Sequence, residues 1–249
     1  MSAVLKEKDF ATESGHFYDP VTGEPRYTYI NKKGGVSNTT VREARKFGWV
    51  PSVTQVLKQA AAPGLVKWMK EQVAKAAYSA RPREGESEAE YLARILPLAE
   101  EVAKNARDRG TDIHGAIERL DRHGPYAAHV DAAMEAVTKW AGILDWDSER
   151  SFASPLGFGG KLDLSAPGFV CDFKTTDKPL DGLRLWPDHR RQLAAYRMGL
   201  GMPEARCAIC YVSSVVPEAR LIELDGEELE QGWEEFKYLL AFYKASNRI

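Results

Sequence analysis

The stretch that decides the fold runs from Gly159 to Lys174 and reads GGKLDLSAPGFVCDFK. It alternates and turns like a β-hairpin, and a two-residue turn at Pro167-Gly168 places Asp163 directly opposite Asp172. Directly opposed side chains leave one face of the sheet about 5 Å apart, so the two carboxylates repel each other. A divalent cation between them reverses this, because hard cations prefer carboxylate oxygens. Lys174 shares that face, since side chains alternate along a strand.

These two acids and one ammonium suit phosphodiester hydrolysis. A metal ion can polarise a phosphoryl oxygen and lower the pKa of a bound water, while Lys174 can orient the nucleophile or stabilise charge in the transition state. The alternative is an exposed sheet edge with solvated charges. The choice depends on the register, because a one-residue slip sends one carboxylate to the opposite face.

Two helical patterns add candidate residues. His114 follows Gly110 by one turn, which allows close backbone approach beside the imidazole, and Glu118 lies one turn further along the same face. Neutral histidine is a common metal ligand, but taken alone His114 can equally be an ordinary histidine. Gln192 and Tyr196 present an amide and a phenol together, able to hold a nucleic-acid strand or to brace the lysine. An ordinary amphipathic helix would show the same pair.

The composition is that of a globular protein, but its charge is uneven. The chain has 249 residues, 44% of them hydrophobic and 28% charged, which disfavours disorder, collagen and coiled coil. The formal net charge is −2, yet residues 40–83 hold nine basic and two acidic residues, a net charge of +7. Hydroxyls at a helix N-terminus suit the binding of a phosphate. A basic helix with a tryptophan suits stacking on DNA bases, although a solvated basic face remains an alternative. The candidate DNA contacts are Ser52, Thr54, Lys67, Trp68 and Lys70.

The three cysteines suit reduced thiols in a cytosol better than a disulfide framework. Cys207 and Cys210 form a CxxC pattern within a segment typical of a buried strand, which favours core thiols over a redox or metal role. The first ten residues lack the apolar stretch of a signal peptide, and no run approaches the length of a membrane span. We therefore expect a cytoplasmic protein without a membrane partner.

The predicted elements indicate an α/β or α+β fold in which helices flank a small mixed sheet. A hairpin is expected around Thr22-Gly23, and a long helix over 88–120 is expected to be interrupted near Pro97. Capping boxes begin helices at Ser52 and Asp225. The other predicted helices and strands cover 127–141, 149–153, 189–200, 206–212 and 220–224.

The chemistry-bearing residues occur in the order His114, Gly160-xx-Asp163, Asp172-Phe173-Lys174-Thr175-Thr176 and Gln192-xxx-Tyr196. This order resembles the RecB-like branch of the PD-(D/E)XK nuclease superfamily, in particular the single-strand exonucleases of phage and of mitochondrial genome maintenance. The resemblance covers roughly residues 110–211. It implies a restriction-endonuclease-like core at 110–249, preceded by a hairpin and lead-in at 1–50 and a basic helical arch at 51–109.

The resemblance also implies a metal-dependent DNA exonuclease that acts on single-stranded ends in recombination, repair or replication. Lys174 would be catalytic, and Glu118 would support the histidine. The implied ligands of Mg²⁺ or Mn²⁺ are His114, Asp163, Asp172 and the carbonyl of Phe173. The implied strand-positioning residues are Thr175, Gln192 and Tyr196.

The chain also departs from the pattern of its relatives. Relatives with an iron-sulfur cluster use four cysteines, whereas this chain has three and Cys171 lies inside the hairpin, so no cluster is expected. It has no GxxxxGK[ST] motif, so any unwinding must come from a partner. Single-stranded DNA is the expected partner, with a single-strand-binding or annealing protein as a further candidate. The alternatives are a DNA-binding subunit without activity, a structure-specific endonuclease and a small-molecule hydrolase. Glu149 is expected to be an exposed acid.

Overall fold

The computed structural model describes residues 16–61, 63–142 and 145–249, without the side chains of residues 102–109. Its helices and strands are, in chain order, β1 (Phe17–Tyr18), β2 (Thr28–Ile30), β3 (Val36–Asn38), α1 (Val41–Phe47), β4 (Val50–Pro51), α2 (Val53–Leu57), α3 (Pro63–Ser79), α4 (Glu88–Glu118), α5 (Ala127–Ala141), β5 (Asp147–Ser154), β6 (Phe158–Ala166), β7 (Phe169–Thr176), α6 (Pro187–Gly199), β8 (Arg206–Ser213), β9 (Ala219–Leu224) and α7 (Gly226–Asn247).

A five-stranded mixed sheet forms the centre of the molecule, in the order β5-β6-β7-β8-β9. β7 and β8 are parallel, and the other neighbouring strands are antiparallel. α6 lies in the connection between the two parallel strands, because a parallel pair needs a crossover rather than a tight turn. The mixed α/β fold predicted from the sequence is confirmed.

Helices cover the sheet on both faces. One core packs α2, α6 and α7 on the sheet and contains Leu162 and Phe236. The other packs α4 and α5 on the sheet and contains Val137 and Leu164. Burial of these apolar side chains on both faces is the main force that holds the helices to the sheet, at roughly 25 cal/mol per Å² of apolar surface.

Two helices begin where the predicted capping residues lie. Ser52 Oγ accepts the Gln55 N–H at 3.0 Å at the start of α2. Asp225 and Glu228 form the predicted capping box of α7. Only the α7 bonds are reciprocal: at Ser52 the predicted capping box is half formed, because the Ser52 N–H donates to the His16 carbonyl rather than to Gln55. Both caps satisfy amide groups that have no partner inside the helix.

The hairpin predicted around Thr22-Gly23 forms in part, because Tyr18 pairs antiparallel with Pro25 and the Arg26 N–H donates to the Phe17 carbonyl at 2.7 Å. The chain does turn back at residues 19–24, where Gly23 donates to the Asp19 carbonyl. However, β1 pairs with β4, and β2 pairs with β3. Phe17 and Tyr18 of β1 are buried, so β1 is stabilised by its pairing with β4 in addition to the local turn.

The interruption predicted near Pro97 is also wrong, because α4 runs from Glu88 to Glu118 without a break. A proline removes one backbone donor, but its fixed φ is compatible with a helix. Ile95 and Ala99 are buried on either side of Pro97 and hold both halves of the helix against the protein.

Among the helices of the described residues, none has the length and apolar character needed to cross a membrane. The division of the chain at residues 50 and 109 stays a prediction.

Candidate active site

Asp163 lies where the central sheet is interrupted. The predicted hairpin register is confirmed for three residue pairs, which end at Leu164 opposite Cys171, one residue short of Asp163. The β5–β6 pairs skip Asp163 as well, and Glu149 on β5 has a positive φ of 57°. Leu162 packs in the core with α6, and Leu164 packs in the core with α4, on the other face of the sheet. On a regular strand, residues two apart would share a face. The strand therefore twists at Asp163.

The twist brings the Asp163 carboxylate to α4. Asp163 Oδ2 accepts the Phe173 N–H at 2.7 Å and lies 3.1 Å from His114 Nε2. On the other side of the imidazole, His114 Nδ1 lies 2.6 Å from Glu118 Oε1. One ligand atom each from His114, Glu118 and Asp163 lie within 4.8 Å of one another. An imidazole nitrogen and two carboxylate oxygens so close together are a donor set for a divalent cation.

The charges of these three residues show that the cluster favours a cation. Burial lowers the pKa of His114, but its bonds to Asp163 and Glu118 outweigh this and raise the pKa to about 10. Burial raises the pKa of Asp163, but His114 outweighs this and holds it below its usual value. A protonated imidazole thus balances the negative charge of two carboxylates. A metal ion bound there could balance the same charge, and we conclude that the residues fit a metal ion.

Asp172 belongs to a neighbouring group that is more deeply buried. Its side chain is 3% exposed, and Oδ2 lies 2.7 Å from Lys174 Nζ. Its Oδ1 accepts a hydrogen bond from Gln192 Nε2 at 2.9 Å, and the same nitrogen lies 3.0 Å from the Tyr196 hydroxyl. Burial raises the pKa of Asp172 to about 6. The positive charge of Lys174 opposes this shift, and the negative charge of Asp163 adds to it.

The structure favours one of the two roles that the sequence left open for Gln192 and Tyr196. Gln192 and Tyr196 are only 7% and 4% exposed, so they offer little surface to a DNA strand. Gln192 instead braces Asp172, and Tyr196 lies behind Gln192. Phe173 contacts the site through its N–H on Asp163. Metal binding by Asp172 and by the Phe173 carbonyl stays a prediction.

Gly110 allows α4 to approach β7 closely. A Cβ at this position would lie 2.6 Å from Thr175 Oγ1, a distance that real Cβ atoms essentially never show. The close approach predicted for Gly110 is therefore present, and its neighbour is Thr175 on the strand that also carries Asp172 and Lys174. This contact brings α4, which carries His114, against β7, which carries Asp172 and Lys174.

Two tyrosines that sequence reasoning missed lie beside the site. Burial raises the pKa of Tyr18 and of Tyr27, and the charge of Glu118 adds to the shift of Tyr27. Tyr27 in turn contributes to the raised pKa of Tyr196, so these phenols are neighbours. An aromatic run near residue 18 was visible in the sequence, but no local pattern connects it with Glu118 on α4.

The candidate DNA contacts differ in exposure. Ser52 is buried and caps α2, whereas Thr54 is exposed. The three candidates on α3 are exposed, and so is most of that helix. These three are Lys67, Trp68 and Lys70.

The remaining sequence candidates lie outside the cluster. The CxxC cysteines are buried free thiols, with Cys207 in the core beside α6 and Cys210 in the core beside α5. Glu149 forms an ion pair with Lys161, so it is not the solvated acid that was expected.

No protein-family model and no curated protein matches this chain. Its fold is similar to that of LHK-Exo, an alkaline exonuclease from Laribacter hongkongensis, with a TM-score of 0.37 and 16% identity over 73% of this chain and 94% of that one. LHK-Exo in complex with dAMP matches with a TM-score of 0.36 at the same identity and coverage. SSO0001 matches with a TM-score of 0.31 and 16% identity over 73% of this chain and 87% of that one. At these TM-scores the function proposed below rests on the side chains of this chain.

Proposed function

We propose that this protein is a divalent-metal-dependent deoxyribonuclease that hydrolyses phosphodiester bonds from the ends of single-stranded DNA. One observation carries the proposal. The ligand atoms of His114, Glu118 and Asp163 meet at the interruption of the sheet, next to the ion pair of Asp172 and Lys174. A cation site beside an ammonium suits hydrolysis of a phosphodiester, because both groups can stabilise negative charge on the phosphoryl oxygens.

His114, Glu118 and Asp163 would hold Mg²⁺ or Mn²⁺, because carboxylate oxygens suit both ions. Bound there, the ion would polarise a phosphoryl oxygen and lower the pKa of a water molecule. Glu118, expected from the sequence only to support His114, is in this proposal a ligand. Asp172 and the Phe173 carbonyl would complete the ligand set that the resemblance implies, and Asp172 also holds Lys174.

Lys174 would stabilise negative charge on the phosphoryl group. Burial lowers the pKa of Lys174, but Asp172 and Asp163 outweigh this and raise it, so the side chain is cationic at neutral pH. About one third of the side chain is exposed, which leaves the ammonium accessible to a substrate. A fixed cation of this kind stabilises charge that develops in the transition state.

The basic segment at residues 40–83 supports a DNA substrate, because phosphate neutralisation by lysine and arginine supplies most non-specific affinity. Lys67, Trp68 and Lys70 on α3 would contact the strand as it enters. An arch formed by this segment would admit a free single-stranded end and exclude bulky duplex. The activity would serve DNA recombination, repair or replication, together with a single-strand-binding or annealing protein.

Digestion of labelled DNA tests the proposal. We expect Mg²⁺ or Mn²⁺ to support shortening of linear single strands, EDTA to stop it, and closed single-stranded circles to survive. Rapid cutting of circles would instead identify an endonuclease. Binding without cleavage of any DNA or RNA, under both metals, would leave a DNA-binding subunit and remove the enzymatic assignment.

A further inference from the structure

Trp186, directly before α6, exposes 57% of its surface. A tryptophan is usually well buried, since its ring carries a large apolar area. The cleavage chemistry described above makes no use of this residue. Its surroundings nevertheless hold it in a defined place.

Hydrogen bonds tie the backbone of Trp186 to the sheet. Its N–H donates to His189 Nδ1 at 3.3 Å. The Tyr211 hydroxyl lies 3.0 Å from the same nitrogen and reaches the Arg184 carbonyl at 3.2 Å. The segment before α6 is thus fixed to β8 by a tyrosine of that strand.

The same tyrosine places Trp186 near the lysine of the candidate active site. Tyr211 lies opposite Lys174 in the parallel ladder of β7 and β8, so the two side chains leave the same face as neighbours. The charge of Lys174 acts on His189, which bonds to the Trp186 N–H. Trp186 therefore belongs to the rim beside Lys174.

The first turn of α3 lies against the ring. A Cβ at Gly64 would lie 3.6 Å from Trp186 Cζ3, which is ordinary contact distance. Lys67, three residues further along α3, is exposed. An exposed ring thus contacts a cationic helix at the rim beside the lysine of the site, and proteins that bind single strands combine base stacking with backbone charge in this way.

We propose that Trp186 stacks on an unpaired base of the strand bound at the candidate active site. The ligand is a nucleobase of any identity, because every base offers a π-face. A paired base inside a duplex has no free face, so this contact would favour single strands. The inference deepens the proposed function and rests on its single-stranded substrate.

Binding measured without cleavage tests the contact. Fluorescence anisotropy in EDTA would compare the wild type, Trp186→Ala and Trp186→Phe on labelled single strands. Each protein would also bind a set of strands in which one abasic position moves inward from the end. Tyr238→Ala is a matched control, because Tyr238 is 75% exposed on α7.

We expect Trp186→Ala to weaken binding about 5- to 100-fold, Trp186→Phe to retain most of the affinity, and Tyr238→Ala to match the wild type. When the missing base is the one that Trp186 contacts, the affinity of the wild type should fall by the same factor. The affinity of Trp186→Ala should not fall further on that strand. The inference would be overturned if Trp186→Ala bound as tightly as the wild type. It would also be overturned if the variant lost the same affinity relative to the wild type on every strand, including the abasic ones. If these binding differences are found but the wild type cleaves no DNA, only the proposed function is overturned.

Discussion

Gln192 donates a hydrogen bond to Asp172 across 2.9 Å, and both side chains are almost fully buried. The bond fixes the carboxylate whose other oxygen faces Lys174. Because the amide has no access to the substrate, its contribution to the reaction must pass through Asp172 and the position of the lysine. Gln192 is in this sense a positioning residue.

Replacing Gln192 with Leu removes this donor while keeping an apolar side chain of similar size. We expect the cleavage rate to fall about 10- to 100-fold, the usual loss when a partner behind a ligand is removed, with DNA affinity nearly unchanged. Single-turnover cleavage and anisotropy would separate the two quantities. Gln231→Leu, on the exposed face of α7, is the control and should cleave normally. A loss of affinity with an unchanged rate would return Gln192 to the strand-binding role.

Replacing Asp163 with Asn tests the metal cluster. The variant keeps an oxygen that can accept the Phe173 N–H, but it loses one of the two carboxylate charges facing His114. A unit charge a few ångströms from an ion contributes on the order of 4 kcal/mol at an effective dielectric constant of 20. We therefore expect the Mg²⁺ concentration for half-maximal rate to rise at least about tenfold.

The control for Asp163→Asn is Glu149→Gln, because Glu149 lies on the neighbouring strand β5 and is paired with Lys161. Its metal titration should follow that of the wild type. If both variants shift the titration alike, the effect comes from the general negative charge of the sheet and the ligand assignment is wrong.

Replacing Lys174 with Ala tests the cation beside the metal cluster. We expect cleavage to fall about 100- to 1,000-fold, the range for loss of one group that stabilises transition-state charge. DNA binding should be largely kept, because the basic segment at 40–83 remains. Lys178→Ala, an exposed lysine just beyond β7, should cleave at the wild-type rate. Full activity of Lys174→Ala would refute the role of Lys174.

The register of the hairpin could be predicted because it depends on local chemistry. A Pro167-Gly168 turn sets which residues face each other, and the three pairs nearest the turn follow it. The capping residues Ser52 and Asp225 marked helix starts for the same reason, since their bonds reach only three residues along the chain.

The interruption at Asp163 could not be predicted, because it depends on contacts between distant segments. Asp163 reaches His114 on a helix 49 residues earlier in the chain. The i, i+4 spacing of Gln192 and Tyr196 shows that the two side chains share a face, but not which strand that face meets. The effect of the Glu118 charge on Tyr27 has no local pattern either.

Gly110 and Thr175 offer a test of helix placement. In Gly110→Ala the new Cβ would meet Thr175 Oγ1, so α4 or the threonine must move and His114 moves with the helix. We expect lower activity, and a stability loss of roughly 1–3 kcal/mol from overpacking that exceeds the helix-propensity gain of about 1 kcal/mol. Adding Thr175→Ala removes the clash and should restore both.

The control for this pair is Gly226→Ala, since a Cβ at Gly226 would meet nothing within 4 Å. Chemical unfolding and cleavage rates would be measured for the single and double variants. If Thr175→Ala fails to rescue Gly110→Ala, the close approach of α4 to β7 is not set by this contact.

His189 predicts a pH dependence of stability. Burial and then the charge of Lys174 lower its pKa from 6.5 to about 4, and Tyr211 is the other titratable group against its ring. Between these two pKa values the unfolded chain binds a proton that the folded chain does not, so stability falls as pH falls from about 6.5 toward 4. The shift corresponds to at most about 3 kcal/mol, reduced by the partial exposure of the ring.

His189→Gln isolates this contribution, because glutamine at the same helix position can still accept the Trp186 N–H but does not titrate. Urea unfolding near pH 7 and near pH 4.5 would be compared for the two proteins. The free energy of unfolding of the variant should fall by less over this interval, by about 1–3 kcal/mol, since every other titrating group is shared. Parallel losses in both proteins would show that His189 is protonated in the folded state and that its ring is not held neutral between Lys174 and Tyr211.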